Sequence, residues 1–301
     1  MKPAARPGVL LAEGAVLVMA LIWGVNYSVI KYGMTFVTPM AYNTLRVAIA
    51  AVALLAIARA FGGPRPARRD LLLLLALGVL GNGIYQVFFA EGLSRTRAGE
   101  AALVVGASPA LIALFGRWKG IERVTGRGAT GIGLSIFGVA FVVLGRAAAG
   151  DANDPGSLFG DLLVLCGSVC WAVYTVYLIP FTTRVGGLWV VALSLAGGSM
   201  FLLVVGAPAM LAQDWHIPAR AWLALLYSGI AALVVAYLLW YRGVKVLGPT
   251  RTALYANFQP IIALIVAWLT LGEIPTTWQG IGAATIVGGV ILTRVPASEA
   301  P

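Results

Sequence analysis

Residues 243–294, GVKVLGPTRTALYANFQPIIALIVAWLTLGEIPTTWQGIGAATIVGGVILTR, are a diverged copy of residues 92–144. An offset of 151 places Gly92 on Gly243, Leu103 on Leu254, Pro109 on Pro260, Glu122 on Glu273, Gly131 on Gly282 and Gly138 on Gly289 without a gap. The register runs upstream through Leu74 and Leu225, Gly78 and Gly229. Towards the front of the chain the offset becomes 148, pairing Glu13 with Asp161, Trp23 with Trp171 and Asn26 with Tyr174. The chain therefore divides into two related halves, residues 10–148 and 158–296.

Composition sets the environment of both halves. Hydrophobic residues make up 60% of the chain, charged residues 11%, and the mean hydropathy is +0.92. That charge is too sparse to coat a water-soluble globule of this length, and lipid requires no such coat. A helix crossing about 30 Å of hydrocarbon at 1.5 Å per residue needs about 20 apolar residues. Ten stretches meet that need: 11–31, 38–60, 71–92, 98–117, 128–146, 159–180, 187–211, 219–241, 250–271 and 277–294. The fold class is an all-α integral membrane protein.

The net charge of +10 invites a nucleic-acid reading, which the placement of the charges removes. With the N-terminus inside, fifteen of the 21 Lys and Arg residues fall in inner loops and five, Lys31, Arg95, Arg97, Arg146 and Arg220, in outer ones. The excess is a topology signal, placing both termini on the cytoplasmic side. Five spans per half oblige the second half to enter from the side opposite to the first, so the repeats are inverted. Two such bundles can expose a midplane cavity alternately to either side, which is the geometry of a transporter.

Polar and aromatic residues on single helical faces mark that cavity. Trp23, Asn26 and Tyr27 share one face of the first span, and Trp171 and Tyr174 occupy the matching face of the sixth. The third span supplies Asn82, Tyr85 and Gln86 with Phe89, and its mate in the eighth carries Tyr237 and Trp240; Tyr255 lies in the ninth. Polar groups facing lipid are costly, so these faces point inward, either lining a cavity or hydrogen-bonding between helices. Arg46, in the second span beside Tyr42 and Asn43, carries the one charge deep in an expected span. Three roles are open to it: snorkelling outward, capping carbonyls at a broken helix, or gripping a substrate carboxylate.

Pro109 and Pro260 are repeat mates in the fourth and ninth spans, where proline removes a backbone hydrogen bond and leaves either a hinge or a static kink. Ser108, Gln259 and Asn257 sit beside them, and Glu100 and Arg251 are mates at the starts of the same helices, placed as gate or interface charges. The fifth and tenth spans hold Gly131, Gly133 and Gly138, and Gly280, Gly282, Gly288 and Gly289. Small residues admit close backbone approach, which assigns these spans to scaffold or dimer contacts in a monomer or homodimer. Glu122 and Glu273 end the preceding helices as capping or turn residues. His216 alone cannot build a His-based metal site or triad, and Cys166 and Cys170, four apart on one helix, read as buried free thiols. No cofactor or metal is expected, and no carboxylate pair lies mid-span to suit an enzyme or a proton-driven carrier.

The stretch TRTALYANFQPIIALIVAWLTLGEIPTTWQGIGAATIVGGVIL and its echo EAALVVGASPALIALFGRWKGIERVTGRGATGIGLSIFGVAFVV resemble the repeated domain of EamA-type carriers in the drug/metabolite transporter (DMT) superfamily. ALIWGVNYSVIKYG followed by PMAYNTLRVAIAA is similar to that family's opening helices. The chain departs from the pattern at Ile121, where the family carries glycine. The resemblance implies ten helices in two inverted five-helix repeats and export or exchange of small metabolites; within the superfamily it is greatest to the YddG-like amino-acid exporters. A lining of rings, amides and hydroxyls suits amphipathic solutes such as amino acids. A carrier of nucleotide-sugars or other phosphorylated metabolites, and a membrane-embedded enzyme, are the alternatives.

Overall fold

The computed structural model describes residues 7–120, 126–148, 155–248, 252 and 255–294, and among them it contains helices and no strands. Hydrocarbon offers the backbone no hydrogen-bonding partner, and a helix satisfies its own N–H and C=O groups internally. Among the described residues eight helical segments are long and apolar enough to cross a membrane. They comprise α1 (Pro7–Gly33), α2 (Pro39–Phe61), α3 (Arg68–Arg95), the pair α4 (Ala98–Gly106) and α5 (Ser108–Trp118), α6 (Gly126–Ala148), α7 (Pro155–Arg184), α8 (Gly187–Val205) and α10 (Ala219–Leu247). The short α9 (Ala207–Ala212) extends the α8 segment. The expected ninth and tenth spans are represented by the shorter apolar helices α11 (Gln259–Leu271) and α12 (Thr277–Arg294). Part of the expected ninth span, including Arg251, lies outside the described residues, as does Glu122.

The fourth span is not one kinked helix. The α4 helix ends at Gly106, and the α5 helix starts at Ser108 with Pro109 in its first turn. There proline's missing N–H goes unused and its fixed φ favours helix entry. Pro260 stands likewise in the first turn of α11. Both prolines thus open a new helix instead of sitting in a helix interior, and the two openings meet, since a Cβ built on Gly106 would lie 2.7 Å from the Pro260 ring.

The glycines of α6 and α12 press these two repeat mates together. A Cβ on Gly138 would meet the Ile286 side chain at 2.6 Å and the Gly282 carbonyl at 3.0 Å; one on Gly289 would meet the Gly131 carbonyl at 2.5 Å. Gly131 thus meets Gly289 while Gly138 meets Gly282, a cross-pairing that only antiparallel helices can make. The same glycine that in one repeat contacts its partner is contacted in the other. Gly133, Gly280 and Gly288 have no neighbour within 4 Å on the Cβ side.

Candidate functional site

Two repeat-equivalent stretches of helix are wound more loosely than the rest, and the site is built beside them. Val79–Ile84 in α3 and Tyr227–Val235 in α10 are π-helical. A π turn tilts carbonyls off the helix axis, where a side chain from a neighbour can reach them, and such turns concentrate at functional sites. The indole of Trp23 donates to the Ala232 carbonyl at 2.9 Å, inside the second π stretch. In the first stretch Gly81 leaves room for the Tyr174 ring, which stands where a Cβ would be.

Arg46 is buried at 2% exposure next to α3. Its Nε donates to Asn43 Oδ1 at 2.9 Å and its Nη2 to Gln86 Oε1 at 2.8 Å, while Asn43 Nδ2 holds the Gln86 carbonyl at 2.9 Å. The guanidinium carbon lies 5.9 Å from the Phe89 ring centroid, within cation–π range. Among the described residues every hydrogen-bond acceptor shown for this cation is a neutral amide, and no carboxylate is paired with it. Snorkelling is excluded by its burial.

An aromatic chain continues from Phe89. Tyr27 and Tyr85 lie 5.7 and 5.8 Å from it, Tyr85 lies 5.4 Å from Trp171, and Trp171 lies 5.2 Å from Tyr174. Gln259 donates to the Tyr27 hydroxyl at 2.8 Å, tying the opening of α11 to this chain. A second group places Trp23 5.8 Å from Tyr237 and 5.9 Å from Trp240, with Tyr255 in the same apolar cluster. Asn26 Oδ1 is buried and no hydrogen bond reaches it among the described residues; the same holds for Ser108 Oγ at the α4–α5 break.

Rings and amides around an intramembrane cation, on spans that repeat, make up the candidate site. The EamA-like transporter family model matches residues 7–144 and 158–295, nearly the whole chain. The chain belongs to the EamA-like transporter family. It is 28% identical over 281 residues to a probable terminal-alkyne amino-acid exporter of Streptantibioticus cattleyicolor, covering 93% of this chain and 92% of that protein. It is 26% identical over 287 residues to the uncharacterized transporter YyaM of Bacillus subtilis, covering 92% of each. A crystal structure at 21% identity superposes with a TM-score of 0.64 over 93% of this chain and 96% of that one, a likeness of fold.

One end of this EamA-like bundle is crossed by a polar network whose members the sequence offered singly, Glu273 as a capping or turn residue, Glu100 as a gate or interface charge and Lys31 as an outer-loop charge. Gly272 adopts φ +69°, the left-handed conformation that ends α11. The turn aims Glu273 at the start of α4, where it accepts from Ala98 N at 3.1 Å and Gly99 N at 3.3 Å. Glu273 therefore caps another helix, not its own. Lys31, closing α1, pairs with Glu273 at 3.3 Å and also donates to the Thr96 carbonyl. The Thr96 hydroxyl contacts Asp161 of α7 and, at 3.0 Å, Glu100; Gln279 of α12 donates to Glu100 at 2.9 Å. At the opposite end Arg184 of α7 pairs with Asp70 of α3 at 2.8 Å.

Of the expected lining residues, Arg46, Gln86, Tyr85, Tyr27, Trp171 and Tyr174 form one contact chain, and Trp23, Tyr237, Trp240 and Tyr255 form the adjoining group. Asn26 and Asn82 are buried beside them, Asn82 against Gly198. Asn43 joins the site although it did not stand among the expected lining residues, and Phe89 joins it from the expected face of the third span. Phe89 shares the helical face of Tyr85 and Gln86, and that periodicity was the available signal. The thiols of Cys166 and Cys170 are free, but Cys166 is exposed, correcting the expectation of burial. The expected scaffold role of the glycine-rich spans rests on contacts within the chain.

Proposed function

We propose that this EamA-like transporter exports amino acids, including aromatic and other amphipathic ones, across a bacterial inner membrane by alternating access, with both termini cytoplasmic and ten helices in two inverted repeats. Arg46 carries the reading. A charge at this depth costs about 2.5–3.5 kcal/mol to insert, and two neutral amides compensate it incompletely. A substrate carboxylate supplies the missing anion through a charge-assisted hydrogen bond. The aromatic chain then takes the substrate side chain, and Asn26 Oδ1 offers an acceptor to its ammonium group. The relative that exports an amino acid supports the same class.

Geometry elsewhere fits the cycle. The cross-pairing of α6 and α12 supports inversion, because exchanged partners at equivalent positions are what a two-fold axis in the membrane plane produces. The helix openings at Pro109 and Pro260 act as hinges, having no continuous hydrogen-bond ladder to break. In the proposed topology the Lys31 network is the periplasmic gate.

Efflux of radiolabelled amino acids from proteoliposomes tests the proposal. Wild-type protein is expected to release aromatic amino acids faster than empty vesicles, and Arg46→Met to slow that release at least tenfold. Equal flux in wild type and empty vesicles across the amino-acid panel would reject amino-acid export.

A further inference from the structure

A shallow cleft of about 70 Å³ opens on the outer flank of the bundle between α5 and α7, away from the Arg46 site. Phe115, Val173 and Val176 make its apolar floor, and Trp118, Lys119 and Tyr177 its rim. Val176 is 2% exposed, whereas Trp118 is 77% and Tyr177 44% exposed, so the depression grades from a sealed base to an open mouth. Gly120, at φ +70°, ends the α5 helix just past Lys119, setting this rim at the helix end. There a membrane helix meets the headgroup layer, and an exposed Trp marks that level.

Lys119 Nζ sits 4.4 Å from the Tyr177 ring centroid. The ring fixes the ammonium at the mouth of the apolar cleft, leaving its N–H donors for an anion on the outward side. In sequence the stretch 117–127 is net basic, with Arg117, Lys119, Arg123 and Arg127 against Glu122. A soluble anion finds the cation here but gains nothing from Val173 and Val176. A neutral acyl chain finds the floor but not the cation. An anionic phospholipid has both parts, in the order the cleft presents them, and basic pockets between membrane helices bind such headgroups.

We propose that the α5–α7 cleft binds one anionic phospholipid, its phosphate on Lys119, its headgroup level at Trp118 and an acyl chain along Phe115, Val173 and Val176. The proposal requires a membrane-embedded chain and is independent of which solute the Arg46 site carries.

The test is native mass spectrometry of the full-length protein released from nanodiscs of mixed phosphatidylglycerol and phosphatidylcholine, counting lipids retained. Wild type is expected to retain one phosphatidylglycerol in preference to phosphatidylcholine. A cationic side chain at the membrane surface contributes about fivefold to anionic-lipid binding, so Lys119→Gln should reduce that preference about fivefold. Val173→Trp, which fills the floor and keeps the charge, should reduce retention of the lipid altogether. Preference unchanged in both variants would overturn the site. Inorganic phosphate that displaced phosphatidylglycerol at millimolar concentration would also overturn it, by showing a soluble-anion site.

Discussion

The α3–α10 pair and the α6–α12 pair are both repeat mates, yet they depart from an ordinary transmembrane helix in opposite directions. In α3 and α10 the backbone is irregular and the side chains are large and polar: π turns at equivalent positions sit beside Asn82, Tyr85 and Gln86 in one and Tyr237 and Trp240 in the other. In α6 and α12 the backbone is regular and the contact-facing residues are small, so the two chains touch through Gly131, Gly138, Gly282 and Gly289. A helix in lipid gains most from close van der Waals packing. Where that packing is maximised, the helices hold one another; where it is relaxed, carbonyls and amides become available to side chains and to solute. Under the proposed transport cycle, the difference separates a pivot from a binding wall.

The sharpest way to break this distinction is to remove the cation beside α3. Arg46→Met keeps roughly the volume of the side chain and removes its charge, and hydrogen bonds to a charged group contribute about 1.5–3 kcal/mol, so transport should fall about tenfold to hundredfold. Thermal stability in detergent should fall modestly, because the buried acceptors Asn43 Oδ1 and Gln86 Oε1 lose their donor. Loss of stability with retained transport would mean that Arg46 is structural and the binding wall lies elsewhere.

The pivot responds in the opposite sense. Gly138→Val places a branched side chain where Ile286 Cγ1 lies 2.6 Å and the Ile286 backbone nitrogen 2.9 Å from the Cβ position. The backbone cannot yield locally, and overpacking of this kind costs about 1–3 kcal/mol. The variant should unfold at lower temperature than wild type while its apparent substrate affinity, measured by binding in detergent, stays the same. A smaller effect is expected from Trp171→Ala, which removes ring contacts with Tyr85 and Tyr174. At about 0.5–1.5 kcal/mol for such a pair, affinity for aromatic amino acids should drop roughly threefold to tenfold, with little change for alanine.

The pivot was more legible in the sequence than the wall, for a physical reason. Glycines at matching offsets are a one-dimensional pattern, and close helix packing follows from the residue type alone. Ring-bearing faces were legible too, as i, i+3, i+4 sets on α1, α3 and α7. The π turns were not, because they depend on Trp23 and Tyr174 arriving from other helices to occupy the space and the carbonyls they release. Nor could the sequence pair Arg46 with Gln86 or aim Glu273 at Ala98, since those contacts join spans whose relative rotation no single helix encodes. Proline was half legible: its presence announced a break, while the break at Ala107 lies before Pro109, at a new helix's first turn.

The smallest expected effect discriminates within the pivot itself. Gly133 lies on α6 between two contact glycines, but it faces away from α12, with nothing within 4 Å of a built Cβ. Adding a methyl there meets no neighbour, and alanine is better than glycine in a helix interior by about 0.8–1 kcal/mol in water. Gly133→Ala should therefore leave transport unchanged and raise thermal stability slightly, opposite in sign to Gly138→Val although only five positions separate the two. A fall in stability for Gly133→Ala would show that its outward face is covered by something absent from a single chain, such as a second copy packed through Gly133 and Gly288. The dissociation behaviour of the purified protein on dilution would then decide between a homodimer and a bound lipid. The sign of this one substitution thus tells whether the glycines of α6 serve the internal pair alone.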